Sequence, residues 1–258
     1  MNTLKKYAQL LVNYCVEIEK GDNLYISSTT LAEPLIREIY REAIRQGANV
    51  EVNMAFREKS RIFFNNASDE QLDHISPFHK MAMEKFDAFI KIIAPFNLNE
   101  TRNVDHDKIK RFSNANQPVM KTYFERTAVR SLKRNTCLYP TEGLAQEAGM
   151  SLEEYEDFVN KACRLYDENP TESWQNVGKF QQKIVDYLNK HNDFVYKGEN
   201  FEISFNTEGR KWINSDGKTN MPSGEVYTSP VEDSVNGQVY FSYPGHYMGN
   251  EVEDVRLW

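Results

Sequence analysis

The run Ala88-Phe89-Ile90-Lys91-Ile92-Ile93 says most about the architecture, because five of its six residues are apolar. A nearly continuous apolar run is typical of a strand that is buried on both faces of a parallel sheet. Before it, Ser68 can cap a helix that ends near Phe86. A helix followed by a buried strand is the repeating unit of an α/β sheet, so this stretch predicts an α/β fold.

The flanking sequence extends the same alternation in both directions. Upstream, apolar residues at helical or strand spacing predict a helix over 4–15, a strand Asn23–Ser27, a helix over 35–43 and a strand Asn49–Ala55. Downstream, the pattern predicts helices Asp107–Asn116 and Pro118–Arg130 and the strand Asn135–Tyr139. Together these elements predict an open α/β sheet with helices on both faces.

The character of the chain changes after Pro140. Two helices are predicted, from Ser151 to Tyr166 and from Thr171 to Lys190. Short strands then follow, at 194–196, 201–205, 211–213, 225–228, 237–243 and 252–258, with a hairpin turn expected at Asn236-Gly237. We therefore predict two domains, an α/β domain over residues 1–192 and a β-rich α+β portion over residues 193–258.

Composition excludes several classes of protein. The 258 residues carry a net charge of -7, which disfavours nucleic acid as a partner. Neither a signal peptide nor an apolar segment of membrane-spanning length is present in the sequence, so we expect no membrane association and a cytoplasmic location. Three widely spaced cysteines imply no disulfide framework.

Standard catalytic motifs are also missing from the sequence. Neither a G-x-G-x-x-G nor a G-x-x-x-x-G-K-[ST] phosphate loop is present, which leaves nucleotide binding as a weak alternative. His74 and His79 are five residues apart with Pro77 between them, a spacing that does not suit a helical metal pair. His106 is expected to begin a helix, and His246 is expected in a turn.

One segment carries a family signature. The run Asn220-Met221-Pro222-Ser223-Gly224-Glu225-Val226-Tyr227-Thr228-Ser229-Pro230, read with 201–205, 209–212 and 233–237, resembles the M29 family of metalloaminopeptidases. The stretches 139–141 and 145–151 are similar to the middle of that family, so the resemblance extends over nearly the whole chain. It implies an enzyme that releases N-terminal amino acids from peptide substrates and that tends to form homodimers.

The resemblance also implies two divalent metal ions, zinc or cobalt, which activate a water molecule and polarise the scissile carbonyl. By position in the N-x-P-x-G-E segment, Glu225 corresponds to one metal ligand of the family. Its other ligands and its catalytic tyrosine have no counterpart before Trp258, and we expect a truncated chain that binds metal weakly or not at all and hydrolyses peptides poorly. The alternative is a noncatalytic binding or scaffold protein that keeps the fold, with Glu225 as a structural residue.

Overall fold

The structure, a computed structural model, describes residues 3–247 and 250–258, and describes side chains for 3–245 and 252–258. Its α-helices are α1 Thr3–Gln9, α2 Glu33–Gln46, α3 Lys59–Asn66, α4 Asp69–Asp73, α5 Pro77–Lys85, α6 His106–Ala128, α7 Glu142–Glu147, α8 Leu152–Ala162 and α9 Pro170–Leu188. A π-helix over Leu10–Cys15 continues α1. Its strands are β1 Asn23–Thr29, β2 Asn49–Ala55, β3 Ala88–Ile93, β4 Lys133–Leu138, β5 Asp193–Gly198, β6 Phe201–Asn206, β7 Ile213–Ser215, β8 Asn220–Met221, β9 Glu225–Tyr227, β10 Asn236–Tyr240, β11 Gly245–Tyr247, β12 Asn250–Val252 and β13 Arg256–Leu257. Within these ranges, none of the helices is long and apolar enough to cross a membrane.

A five-stranded parallel sheet confirms the predicted α/β fold. Its strand order is β2-β1-β3-β4-β8, and every neighbouring pair is parallel. The first four strands follow the doubly wound order in which helical crossovers cover both faces. The fifth position is taken by β8, which arrives from much later in the chain and pairs Asn220 with Thr136.

Both faces of this sheet are covered by apolar side chains. On one face, Tyr25 and Phe89 stack with ring centroids 5.3 Å apart, within a cluster of buried residues that also includes Ala82, Met83, Phe86, Val119 and Leu132. Leu35 and Ile39 of α2 are fully buried on the inner side of an amphipathic helix, which ends at Gly47 in a left-handed conformation. The hydrophobic core therefore lies against both faces of the parallel sheet.

The chain divides into two compact units. The first contains residues 1–173 and 217–223, and the second contains residues 174–216 and 224–258. These units interleave along the chain, since 217–223 returns to the first unit to supply β8. The predicted domains, 1–192 and 193–258, stay a prediction.

The second unit is built from short antiparallel strands and most of α9. Its four-stranded sheet has the order β13-β10-β6-β5, and separate ladders join β7 to β9 and β11 to β12. The Phe194 ring stacks on Phe205 and meets the buried Trp212 edge to face, with centroids 5.5 and 5.2 Å apart. These three aromatic residues form a small core under the sheet.

Some predicted elements were wrong. Helices 107–116 and 118–130 are a single helix, α6, which continues through Pro118 because Val119 is buried in the core and α4 and α5 pack along the helix. Asn236 and Gly237 do not form a hairpin turn but begin β10, where a side chain at Gly237 would collide with the Glu202 carbonyl of β6. The expected strand 211–213 lies at Ile213–Ser215, and the expected strand 252–258 is interrupted between β12 and β13.

Candidate metal-ligand segment at Glu225

The N-x-P-x-G-E segment begins at the edge of the parallel sheet. Asn220 and Met221 form β8, and the Asn220 Nδ2 donates a hydrogen bond of 3.1 Å to the carbonyl of Pro222. The Met221 carbonyl accepts a hydrogen bond of 3.4 Å from the buried Tyr7 hydroxyl. The Met221–Pro222 peptide bond is cis. The first half of the segment is therefore held by the sheet and by a side chain from α1.

The turn itself depends on Gly224. Its φ of +111° lies in a region that side-chain-bearing residues rarely adopt, which explains the glycine. Its backbone N–H donates to the Ser215 carbonyl at 3.1 Å, and this bond begins the ladder between β9 and β7. The turn therefore delivers the next residue, Glu225, to the first position of a strand, as the sequence predicted.

Glu225 has a fixed backbone and a free carboxylate. Its main chain pairs with Ser215, and its carbonyl accepts a 2.6 Å hydrogen bond from Nε2 of Gln181, a residue of α9 that is only 5% exposed. The side chain of Glu225 is exposed. Among the described residues, its carboxylate takes part in neither an ion pair nor a hydrogen bond. A carboxylate on an ordered strand is well suited to act as a metal ligand, since its position needs little reorganisation when the metal binds.

Of the residues that flank this turn in the sequence, Asn220 supports it through the hydrogen bond to Pro222. Arg210 instead forms an ion pair with Glu232 at 2.7 Å, and the buried Trp212 belongs to the aromatic core. Support for the turn thus comes from Asn220 and Gln181.

The donor set does not match a two-metal centre within the part of the chain that the structure describes. No group of three or more His, Cys, Asp or Glu side chains there could hold a metal ion. Glu225 is therefore a single candidate donor, and we assign no catalytic step to a metal.

The histidines are dispersed among different elements. His74 directly follows α4, His79 lies within α5, and His106 begins α6 as predicted. His191 follows α9. The backbone of His246 lies in β11 rather than in the expected turn, and its side chain is outside the described residues.

A buried cluster below β8 was not found by the sequence reasoning. The Tyr7 hydroxyl lies 3.2 Å from the Leu138 carbonyl, and the Cys163 thiol donates to Tyr7 at 3.6 Å. Cys15, Cys137 and Cys163 are all buried thiols, and none of the three is joined in a disulfide. Burial raises the pKa of the Cys163 thiol to about 12 and also raises that of Cys137, so both stay protonated. Tyr7 is over a hundred residues away from Leu138 and from Cys163 in the sequence, so no local sequence pattern indicated this cluster.

The fold and the Glu225 segment define an α/β protein with one exposed candidate ligand, and comparisons with known proteins identify its family. The family model described as thermophilic metalloprotease (M29) matches residues 1–258, and the chain belongs to this family. It is 27% identical to Aminopeptidase 2 of Geobacillus stearothermophilus and 26% identical to Aminopeptidase AmpS of Bacillus subtilis. Each alignment covers 98% of this chain and 67% of the relative, so the chain spans about two thirds of their length.

A solved structure shows the same fold. The structure of wild-type AmpT from Thermus thermophilus matches with a TM-score of 0.82 at 22% identity, over 98% of this chain and 68% of that one. At this level of identity the match shows the fold alone.

Proposed function

We propose that this chain has the function of a metal-dependent aminopeptidase, which releases N-terminal amino acids from peptides, with Glu225 as one metal ligand. The family match over residues 1–258 carries the proposal, and the compared relatives are named as aminopeptidases. The exposed carboxylate of Glu225 supports it, because the segment around it is held by backbone bonds that do not use the carboxylate.

The proposed cofactors are two divalent ions, zinc or cobalt. Glu225 supplies one donor, and metal affinity rises with the number of charged ligands. We therefore expect this chain by itself to bind such ions weakly, with a dissociation constant near or above about 1 mM. For the same reason we expect it to hydrolyse peptides slowly or not at all.

Paramagnetic broadening by Mn²⁺ tests the role of Glu225 even if binding is weak. We expect the backbone signals of Ser215 and Val226 to broaden at the lowest metal concentrations, since they neighbour Glu225 in the β7–β9 ladder. Glu225→Gln removes the charge at nearly constant size and should abolish this broadening. Glu208→Gln changes another exposed glutamate of the same unit and serves as the matched control. Broadening around Glu225 that persists in Glu225→Gln would contradict the assignment.

Hydrolysis of leucine p-nitroanilide, measured with and without cobalt or zinc, tests the activity. We expect little or no turnover from this chain alone. Chelator-sensitive hydrolysis at the rate of a full-length relative would overturn the expectation of low activity and would support a complete site.

The proposed context is a cytoplasmic enzyme that acts on peptides, without nucleic acid or membrane partners, and forms a homodimer.

The alternative is a noncatalytic protein that binds a partner or serves as a scaffold. It is favoured by one observation, which is that no group of three or more His, Cys, Asp or Glu side chains among the described residues could hold a metal ion. Under this alternative, Glu225→Gln leaves both the stability and the Mn²⁺ broadening pattern unchanged. A reading frame that continues beyond Trp258 into further histidine, aspartate, glutamate and tyrosine ligands would favour the enzyme.

A further inference from the structure

The first unit contains a cavity that the proposed function does not use. It has a volume of about 400 Å³ and lies over the face of the parallel sheet, where Tyr25 of β1 and Asn53 of β2 form part of its wall. Helices α3, α5 and α6 supply most of the remaining wall. A volume of this size is within the range of small-molecule sites, which are concave and mostly apolar with a few polar groups.

We propose that this cavity is a binding site for a small planar aromatic carboxylate. The inference does not depend on Glu225 or on metal binding, because all the lining residues belong to the first unit. Its chemical class follows from the aromatic walls, the hydrogen-bond donors and the charge of the lining residues.

Aromatic side chains form much of the wall. Phe63 and Phe64 of α3 each meet Phe112 of α6 edge to face, with centroids 5.4 and 5.7 Å apart. Tyr25 and Phe78 form another edge-to-face pair at 5.5 Å. A further flat ring can pack against aromatic rings that are arranged in this way. Contacts between aromatic rings contribute stabilisation in addition to that from the apolar area they bury. The walls therefore favour a planar ring over a saturated one.

The helix α3 shows that this region is not filled by the chain itself. It contains no buried residue, and Phe63 and Phe64 are only partly buried although they face other aromatic rings. Beneath them, Tyr25 is 2% exposed and belongs to the main core cluster. An apolar ligand in the cavity would therefore extend the hydrophobic core, which ends at the cavity wall.

Several polar groups on the wall can donate a hydrogen bond. The Tyr25 hydroxyl accepts a 3.0 Å hydrogen bond from Asn53 Nδ2, which leaves its own proton to be donated. Burial lowers the pKa of His79, so its imidazole is neutral at neutral pH and offers one N–H. Lys59 adds an ammonium group from an exposed position on the wall. A ligand with acceptor atoms would satisfy these groups.

The charge of the wall favours an anion. Lys59 is cationic, and the lining residues of this cavity, which all lie in the described part of the chain, include neither aspartate nor glutamate. An organic cation would therefore meet a like charge without a counter-charge, whereas a carboxylate would meet the ammonium group. His74 and His79 both line the cavity, but they do not belong to any group of three donors that could hold a metal ion in the described residues.

The test uses 2-naphthoate as the probe on the full chain, with saturation-transfer NMR and protein amide shifts as readouts. We expect a dissociation constant on the order of 1 mM or tighter, as for other fragment-sized ligands. Amide shifts should centre on the lining residues of α3, α5 and α6. Decahydro-2-naphthoate, which has the same skeleton without aromaticity, should bind about threefold more weakly. The cation 2-naphthylmethylamine should bind at least about tenfold more weakly.

Two pairs of variants locate the site. Ser60→Trp fills the cavity from an exposed position of α3 and should weaken 2-naphthoate binding by at least about tenfold. Ser113→Trp places the same side chain on exposed surface of α6 outside the cavity and should bind as the parent does. Lys59→Gln should weaken binding about threefold, and Lys110→Gln should not.

Three outcomes would overturn the proposal. The first is that 2-naphthoate does not bind at millimolar concentration, and the second is that Ser60→Trp binds it as tightly as Ser113→Trp does. The third is that the naphthylmethylamine binds as well as the carboxylate. Circular dichroism of each variant checks that it is folded. If Ser60→Trp does not fold, the comparison of Lys59→Gln with Lys110→Gln still tests the site.

Discussion

The parallel sheet of the first unit and the antiparallel sheet of the second differ in how deeply their strands are buried. In β1 and β3, Ile26 and Ile90 have no exposed surface, whereas Val195 and Tyr196 of β5 are 55% and 47% exposed. The ion pair of Lys197 in β5 with Glu202 in β6 joins an edge strand of the second sheet to its neighbour, and an exposed pair of this kind contributes little. The contrast indicates that the first unit carries most of the stability.

The chain contains separate probes for the two units. Cys15, Cys137 and Cys163 all lie in the first unit, and Trp174, Trp212 and Trp258 all lie in the second. Thiol labelling during urea unfolding therefore reports on the first unit, and tryptophan fluorescence reports on the second. We expect the fluorescence to change at the lower urea concentration, because less apolar surface is buried around the second set of strands.

The largest expected effect comes from an isoleucine pair. Ile26→Ala in β1 should lower the free energy of unfolding by about 3 kcal/mol, because it leaves a cavity in a core that cannot relax fully. Ile213→Ala in β7, where the side chain is 45% exposed, should cost less than about 1 kcal/mol. Urea unfolding measures the two costs. It is monitored by thiol labelling for Ile26→Ala and by tryptophan fluorescence for Ile213→Ala. Equal costs would remove the contrast between the two units.

A tyrosine pair should give a smaller effect. Tyr7→Phe removes a buried hydroxyl that bonds to main-chain carbonyls and to Cys163, and should cost about 1–2 kcal/mol. Tyr240→Phe removes a hydroxyl that bonds to the exposed Asp254 and should cost less. The same two unfolding probes measure both. If Tyr7→Phe is as stable as the parent, the cluster below β8 contributes nothing to holding that strand.

The smallest effect should be a pH dependence of the first unit's stability near neutral pH. Burial lowers the pKa of His79 below its ordinary value of 6.5. The unfolded chain therefore binds a proton at a pH where the folded protein does not, and stability falls as the pH drops below about 6.5 towards the lowered value. Thermal unfolding at several pH values should show this loss, and His79→Gln should reduce it.

His191→Gln, in the second unit, is the control for loss of an imidazole. NMR titration of the His79 ring gives the pKa directly. A value at or above 6.5 would show that the cavity wall around His79 is more hydrated than the structure indicates.

Prediction from the sequence succeeded where the pattern was local and strong. The strands Asn49–Ala55 and Ala88–Ile93 have the predicted bounds. The first largely alternates half-buried with exposed residues at the edge of the sheet, and the second is almost wholly apolar because it is buried between two neighbouring strands. The strand that begins at Glu225 was also predicted, although its role as a metal ligand stays a prediction. The helix break at Pro118 and the turn at Asn236-Gly237 were wrong, because packing against α4 and α5 and the close approach of β6 outweighed the local signals.

The sequence by itself determined that the chain has an α/β unit followed by shorter strands, and it placed Glu225 at a turn before a strand. These features depend on residues within a few positions of one another. The tertiary structure alone decided that Asn220–Met221 returns to become the fifth strand, that three distant cysteines gather near Tyr7, and that aromatic rings from α3, α5 and α6 enclose a cavity. Such features depend on pairing and packing between residues far apart in the chain, for which local periodicity carries no information.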